Sequence, residues 1–280
     1  MTSRHLFSID VEEHFQVSAF ERYVDRSSWP NLESRVVANT DRLLELLARH
    51  EIRSTCFIVG WVAERHPDLV RRIAGAGHEV ASHSYWHRRV TTLSPEEFRE
   101  DIRSSKAILE DIAGVEVRGF RAPSYSIVPG LDWAFDVLLE EGYRYDSSLF
   151  PIARRGYGWP ETPLDPHWIK RPAGNLLEIP MTVWEVGPFK VPAAGGGYFR
   201  QFPLWVTDRA FEARERVGKT GMFYIHPWEV DPGQPQLAVD WLTRIRHYRG
   251  LDRVESDLDR LFGKFAFTSV AEWLASGAVV

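Results

Sequence analysis

STCFIVGWVAERHPDLVRRIAGAGHEVASHSYWH, residues Ser54–His87, contains one complete strand–helix–strand unit. Ser54–Gly60 is an apolar run centred on Thr55, Cys56, Phe57, Ile58 and Val59, the pattern of a buried strand. Pro67 opens a helix that Gly75 and Gly77 close, and Glu79–His83 reads as the next strand. A helix between two strands is the crossover that parallel pairing requires. The same alternation continues outward in both directions. Leu6–Asp10, Val117–Arg121, Tyr143–Asp146, Leu176–Pro180, Met222–His226 and Phe265–Thr268 read as further strands. Leu43, Leu44, Leu46 and Leu47 form one helical stripe. Ser94-Pro95-Glu96-Glu97 starts another helix, with Ser94 as cap and Glu97 completing a capping box toward Gly114. About seven parallel strands with intervening helices predict an α/β chain closed into a (β/α) barrel rather than an open doubly wound sheet.

The chain has 280 residues and neither a Gly/Ser/Pro-rich linker nor a long charge run, so 1–280 is expected to form a single domain. Residues 151–203 break the rhythm. Gly156-Tyr157-Gly158-Trp159-Pro160 and Gly195-Gly196-Gly197-Tyr198-Phe199-Arg200 suggest long ordered loops over one face of the barrel. With 44% apolar and 26% charged residues and a formal charge of -5, no nucleic-acid partner is expected. Cys56 is the only cysteine and lies in an apolar run, which excludes an internal disulfide. The first ten residues lack the apolar run of a secretory signal, and no stretch reaches the ~20 apolar residues of a membrane helix. The expected location is the cytoplasm, with no membrane-spanning segment. The 11 tryptophans suit either a heavy core or a groove that stacks on sugar rings.

The residues that carry chemistry stand at strand ends. His83 and His87 are four apart, about one helical turn, so a turn there would present two imidazoles to one ion. In Ser8-Ile9-Asp10-Val11-Glu12-Glu13-His14, strand alternation puts Asp10 and Glu12 on one face. Arg121 closes the fourth strand, Asp146 follows the fifth and His226 closes the seventh. In a barrel all of these ends share one rim, so residues distant in sequence meet around one ligand.

That order resembles the polysaccharide deacetylase family, the carbohydrate esterases with homology to the nodulation chitooligosaccharide deacetylase. The resemblance rests on Asp10 with Glu12, His83-Ser84-Tyr85-Trp86-His87, Arg121-Ala122-Pro123, Asp146 and Ile225-His226, and spans nearly the whole chain. Asp10-Val11-Glu12-Glu13, Tyr145-Asp146-Ser147-Ser148 and the Gly195–Arg200 run further resemble the branch tied to exopolysaccharide loci with exosortase (PEP-CTERM) sorting systems. The resemblance implies a distorted (β/α) barrel. It also implies a divalent metal, zinc foremost, and a base and an acid that remove N-acetyl groups from an oligo- or polysaccharide or a lipid-linked precursor.

One departure from the family bears on the metal. Family members place two adjacent aspartates after the first strand, a base followed by a metal ligand, whereas Val11 follows Asp10 here. Alternation nominates Glu12 as the third ligand with His83 and His87, and Glu13 is the fallback if a turn begins early. Two imidazoles and one carboxylate leave room for water and substrate, as in a catalytic zinc site. In this scheme Asp10 is the base, held and kept ionised by Arg121. His226 is the acid that protonates the departing amine, with Asp146 as its carboxylate partner. Trp86, Tyr125, Tyr198 and Trp228 are candidate sugar contacts or else core residues. Two other functions fit parts of this pattern: an allantoinase- or imidase-like hydrolase of a small cyclic amide, and an inactive carbohydrate-binding barrel. Oligomeric state leaves no mark in the sequence.

Overall fold

In this computed structural model, which describes residues 4–154 and 156–277, every strand expected from the sequence is present. The strands are β1 (His5–Val11), β2 (Thr55–Ile58), β3 (Glu79–Ser82), β4 (Gly119–Phe120), β5 (Tyr145–Asp146), β6 (His167–Arg171), β7 (Gly174–Glu178), β8 (Val183–Val186), β9 (Phe189–Pro192), β10 (Met222–Ile225) and β11 (Phe267–Thr268). Their order in the main sheet is β10-β1-β2-β3-β4-β5-β7-β6, with β11 also beside β1. From β10 to β7 every pairing is parallel, and only β6 at the edge is antiparallel. β1 is buried along its whole length, as a parallel strand covered on both faces should be.

The barrel is not sealed by a continuous ladder. Among the described residues no pairing joins β7 to β10. Pro180, just past β7, has no N–H to give to a neighbour. Thr182 bridges the gap: the Met222 N–H donates to Thr182 Oγ1 at 2.7 Å, and the Thr182 N–H donates to Met222 O at 3.4 Å.

The helices follow their sequence signals. Leu43, Leu46 and Leu47 bury one face of helix Val36–Arg49. Pro67 takes the first turn of Pro67–Gly75, and Gly77 has a left-handed φ of 81° just beyond it. In helix Pro95–Ala113, Glu97 N–H donates to Ser94 Oγ at 3.2 Å and Ser94 N–H returns to Glu97 Oε2 at 2.9 Å. No helix among the described residues is long and apolar enough to cross a membrane.

The 151–203 region departs from the long loops expected. It contains the hairpin β6–β7, the separate hairpin β8–β9 and a short helix, Gly196–Gln201. The β8–β9 hairpin packs Trp184 and Val191 inward but leaves Val186 and Phe189 exposed at its turn, so the apolar alternation that marks a strand in sequence is blurred.

Candidate active site

The carboxyl ends of β1, β3, β4 and β10 bring Asp10, Glu12, His83, Arg121 and His226 to one rim, the usual place for chemistry in such a fold. β1 keeps strand geometry through Val11, so Asp10 and Glu12 emerge on the same side. Glu12, His83 and His87, all buried, form the one candidate metal cluster among the described residues, with ligand atoms within 4.8 Å of one another. Glu13 turns away: its carboxylate accepts from Ser34 Oγ and, at 3.0 Å, from the Arg35 N–H.

The residues fit a cation. Glu12 Oε2 is buried, lies 2.6 Å from His87 Nε2 and has no other partner. Its other oxygen, Oε1, accepts from Trp228 Nε1 at 3.0 Å. Burial opposes the charge on Glu12, but His87 and His226 hold its carboxyl well below the usual range. His83 Nδ1 sits 2.8 Å from the Arg121 carbonyl, which directs its Nε2 toward the cluster. Burial, above all, lowers His83 to about 4, so at neutral pH it offers a lone pair. Two imidazoles and a carboxylate form a zinc-compatible donor set with positions left open.

The His83–His87 spacing works differently from the helical turn expected. The segment is a loop in which Ser84 and His87 have φ values of 63° and 51°. Asp101 holds it from helix Pro95–Ala113, accepting the Tyr85 N–H at 2.7 Å and the Trp86 N–H at 3.2 Å. On the other side, Gly60 N–H donates to Ser84 O at 2.9 Å. A Cβ at Gly60 would come within 2.6 Å of the Tyr85 ring, so only glycine lets the loop lie this close. We expect Asp101→Ala to orphan both amides, at a cost of about 1–3 kcal/mol in denaturant unfolding. Zinc affinity should fall roughly 10–100-fold in a chelator-competition titration. Wild-type affinity in that variant would show that the loop holds itself.

Arg121 is fully buried and its side chain makes four hydrogen bonds. Its Nη1 donates to Asp10 Oδ1 at 2.5 Å and Ser8 Oγ at 2.8 Å, its Nη2 to Ser147 Oγ at 2.9 Å, and its Nε to Ser147 O at 3.1 Å. The guanidinium also lies 4.0 Å from the Phe57 ring centroid. Asp10 is thereby oriented with Oδ2 facing His226 Nε2, 4.0 Å away.

His226 keeps 16% of its side chain accessible and points Nε2 between Asp10 Oδ2 and Glu12 Oε1 (4.0 and 3.8 Å). Burial opposes its protonation, but Glu12, Glu229 and Asp10 together raise it to about 9, which keeps it charged at neutral pH. Its carboxylate partner is not Asp146, contrary to the sequence expectation. Glu229 Oε1 sits 2.6 Å from His226 Nδ1, three residues along the chain. Asp146 instead accepts from Ser148 Oγ at 2.5 Å and faces its register partner Glu178. Burial raises both carboxyls, Glu178 well above the usual carboxylate range. Asp146 is committed to Ser148 and faces Glu178 on β7, whereas Glu229 is local to His226. The spacing His226-Pro227-Trp228-Glu229 is the signal in the sequence, since an acid three residues into a Pro-started turn folds back on its first residue.

The aromatic candidates divide. Trp228 is 4% exposed, wedged between His226 (centroids 5.0 Å apart, 17°) and His247 (4.2 Å, 20°), and Tyr125 is 6% exposed against Phe150 and Tyr224. Neither offers an open face to a sugar. Trp228 instead holds Glu12 through its Nε1–H, and Tyr125 packs in a hydrophobic cluster. Tyr198 is half-buried, with its hydroxyl 2.6 Å from that of Tyr157. Trp86, within the histidine loop and against Tyr85 and Trp29, is 39% exposed, which makes it the most accessible of the four.

Residues 28–133 match the polysaccharide deacetylase family, and residues 147–275 match a domain of unknown function, DUF3473. The chain is 33% identical over 96 residues to a peptidoglycan-N-acetylglucosamine deacetylase of Bacillus cereus, an alignment covering 34% of this chain and 35% of that protein. The match thus spans about a third of that curated relative's length. Among solved structures, an allantoinase superposes with a TM-score of 0.65 at 18% identity, covering 99% of this chain and 92% of the other. A peptidoglycan N-acetylglucosamine deacetylase superposes with 0.50 at 16% identity, covering 97% and 89%. The fold is therefore the α/β fold of these hydrolases, and the polysaccharide deacetylase resemblance of the sequence is supported over residues 28–133.

Proposed function

We propose that this chain is a metal-dependent hydrolase that removes N-acetyl groups from an N-acetylated sugar of a polysaccharide or its precursor. The observation that carries this reading is the Glu12–His83–His87 cluster, with Asp10 and His226 Nε2 converging beside it. An ion held by those three residues, zinc by donor type, supplies Lewis-acid polarisation of a carbonyl and its attacking water. Asp10, fixed by Arg121, takes the proton from that water through its free Oδ2. His226, its Nδ1 held by Glu229, gives a proton from Nε2 to the departing amine, which cannot leave as an anion. Trp86 provides a ring face on which a pyranose can stack. Exopolysaccharide assembly is the setting we favour, on the strength of the Gly195–Arg200 run within the segment matching the domain of unknown function.

The allantoinase superposition keeps small cyclic amides as the rival substrate class. Purified zinc-loaded protein is expected to release acetate from N-acetylglucosamine oligomers or lipid-linked N-acetylated precursors and to leave allantoin intact. Ring opening of allantoin without acetate release would replace the first reading with the second. Failure on both, with zinc bound, would favour a silent carbohydrate-binding barrel.

A further inference from the structure

We infer that Arg200 and Glu229 are positioning residues for His226, and that Gly195 and Gly196 of the run Gly195-Gly196-Gly197-Tyr198-Phe199-Arg200 serve to bring the Arg200 guanidinium beside Glu229. The inference rests on the proposed function, which makes His226 the acid.

Glu229 is fully buried and divided between two partners. Its Oε1 receives the His226 N–H at 3.2 Å and the ring Nδ1 at 2.6 Å, and its Oε2 receives Arg200 Nε at 2.5 Å. A carboxylate opposite Nδ1 keeps a proton on that nitrogen, as outer partners of functional histidines do. Nε2 is then the nitrogen left to face the substrate, and it points between Asp10 and Glu12. Trp228 fixes the ring from its face, stacked at 5.0 Å, while the Arg200 guanidinium lies 5.0 Å from the Trp228 ring centroid. The imidazole is therefore held at Nδ1 and across one face by groups that all touch Arg200 directly or through one neighbour.

Arg200 is itself anchored. Its Nη1 donates to the carbonyls of His247 at 2.6 Å and Arg249 at 3.1 Å, where helix Trp241–Tyr248 ends. A planar fork can bridge a carboxylate and carbonyls at once, and a lysine ammonium on a flexible stem cannot copy that. The glycines make the approach possible. A Cβ on Gly195 would lie 1.8 Å from Tyr224 O, and one on Gly196 would lie 2.4 Å from the Tyr224 hydroxyl. Both residues also have positive φ, 124° and 55°. Only glycine therefore lets helix Gly196–Gln201 lie directly on β10, the strand that ends one residue before His226.

Two readouts on the zinc-loaded full chain test the relay. The ring-nitrogen NMR spectrum is expected to show the His226 proton on Nδ1 in the wild type and a loss of its strongly downfield resonance in Glu229→Gln and Arg200→Lys. In kinetics, Glu229→Gln should lower kcat for acetate release about 10–100-fold, with KM and zinc content unchanged. The loss on p-nitrophenyl acetate should be about tenfold smaller, because a phenolate leaves without a donated proton. Equal losses on amide and ester, an unchanged kcat on the amide, or an unprotonated Nδ1 in the wild type would each overturn the relay. The spectrum needs no substrate. A wild type that releases no acetate would count against the deacetylase reading, while the Nδ1 proton would still decide the relay. Should Glu229→Gln not fold, Arg200→Lys and the wild-type spectrum decide in the same way.

Discussion

Replacing Glu12 by glutamine is expected to abolish metal binding, lowering bound zinc from roughly one ion per chain to a trace. Glutamine preserves shape and can still accept from Trp228 Nε1, so the fold is little disturbed. What disappears is the anionic donor of the cluster, whose Oε2 has no other hydrogen-bond partner. The remaining donors, His83 and His87, are too few for a stable site. Elemental analysis after dialysis reads the stoichiometry directly. Thermal unfolding provides a second measure: zinc at 100 times its dissociation constant should stabilise the wild type by about 2.7 kcal/mol and the variant not at all. His83→Ala and His87→Ala should behave alike, whereas Glu13→Gln should keep the ion, since Glu13 is committed to Ser34 and Arg35. Zinc retained at full stoichiometry in Glu12→Gln would sink the three-residue site and with it the reading of Val11 as a bypassed ligand position.

That bypass shows how far local pattern carries. The parity of Asp10 and Glu12 could be read from the sequence because strand alternation is a fixed period, and β1 runs unbroken through Val11. The β–α–β units were legible for the same reason: buried parallel strands are continuous apolar runs, and Pro67, Ser94-Pro95 and the closing glycines mark helix ends chemically. The shape of the His83–His87 loop was not legible, because its left-handed residues depend on Asp101 and Gly60, which lie outside the segment. Strand-end convergence alone points to Asp146 as the partner of His226, and the structure gives Glu229 instead. A shared rim does not make all its members neighbours, and Asp146 was closer in the sheet to Glu178 than to anything on β10. The aromatic candidates failed similarly, since proximity to a motif does not distinguish a face open to sugar from one pressed against a histidine, as Trp228 is.

Asp10→Asn should separate binding from chemistry. The variant keeps Glu12, His83 and His87, so zinc content should match the wild type. Acetate release should fall about 10²–10⁴-fold in kcat, the usual worth of a positioned proton acceptor. An amide oxygen can still accept from Arg121 Nη1, but the guanidinium, fully buried, loses its negative partner. Removing one member of a buried ion pair commonly costs about 3–5 kcal/mol. The cost here should fall at or below that range, because Ser8, both Ser147 contacts and the Phe57 face remain around Arg121. Adding Arg121→Met to Asp10→Asn removes the stranded charge, so the double variant should recover stability relative to Asp10→Asn while gaining no activity. Stability restored without activity would tie the catalytic loss to the missing carboxylate rather than to a loosened fold. If Asp10→Asn instead releases acetate at the wild-type rate with zinc bound, the proton from water goes elsewhere and Asp10 serves only to neutralise Arg121.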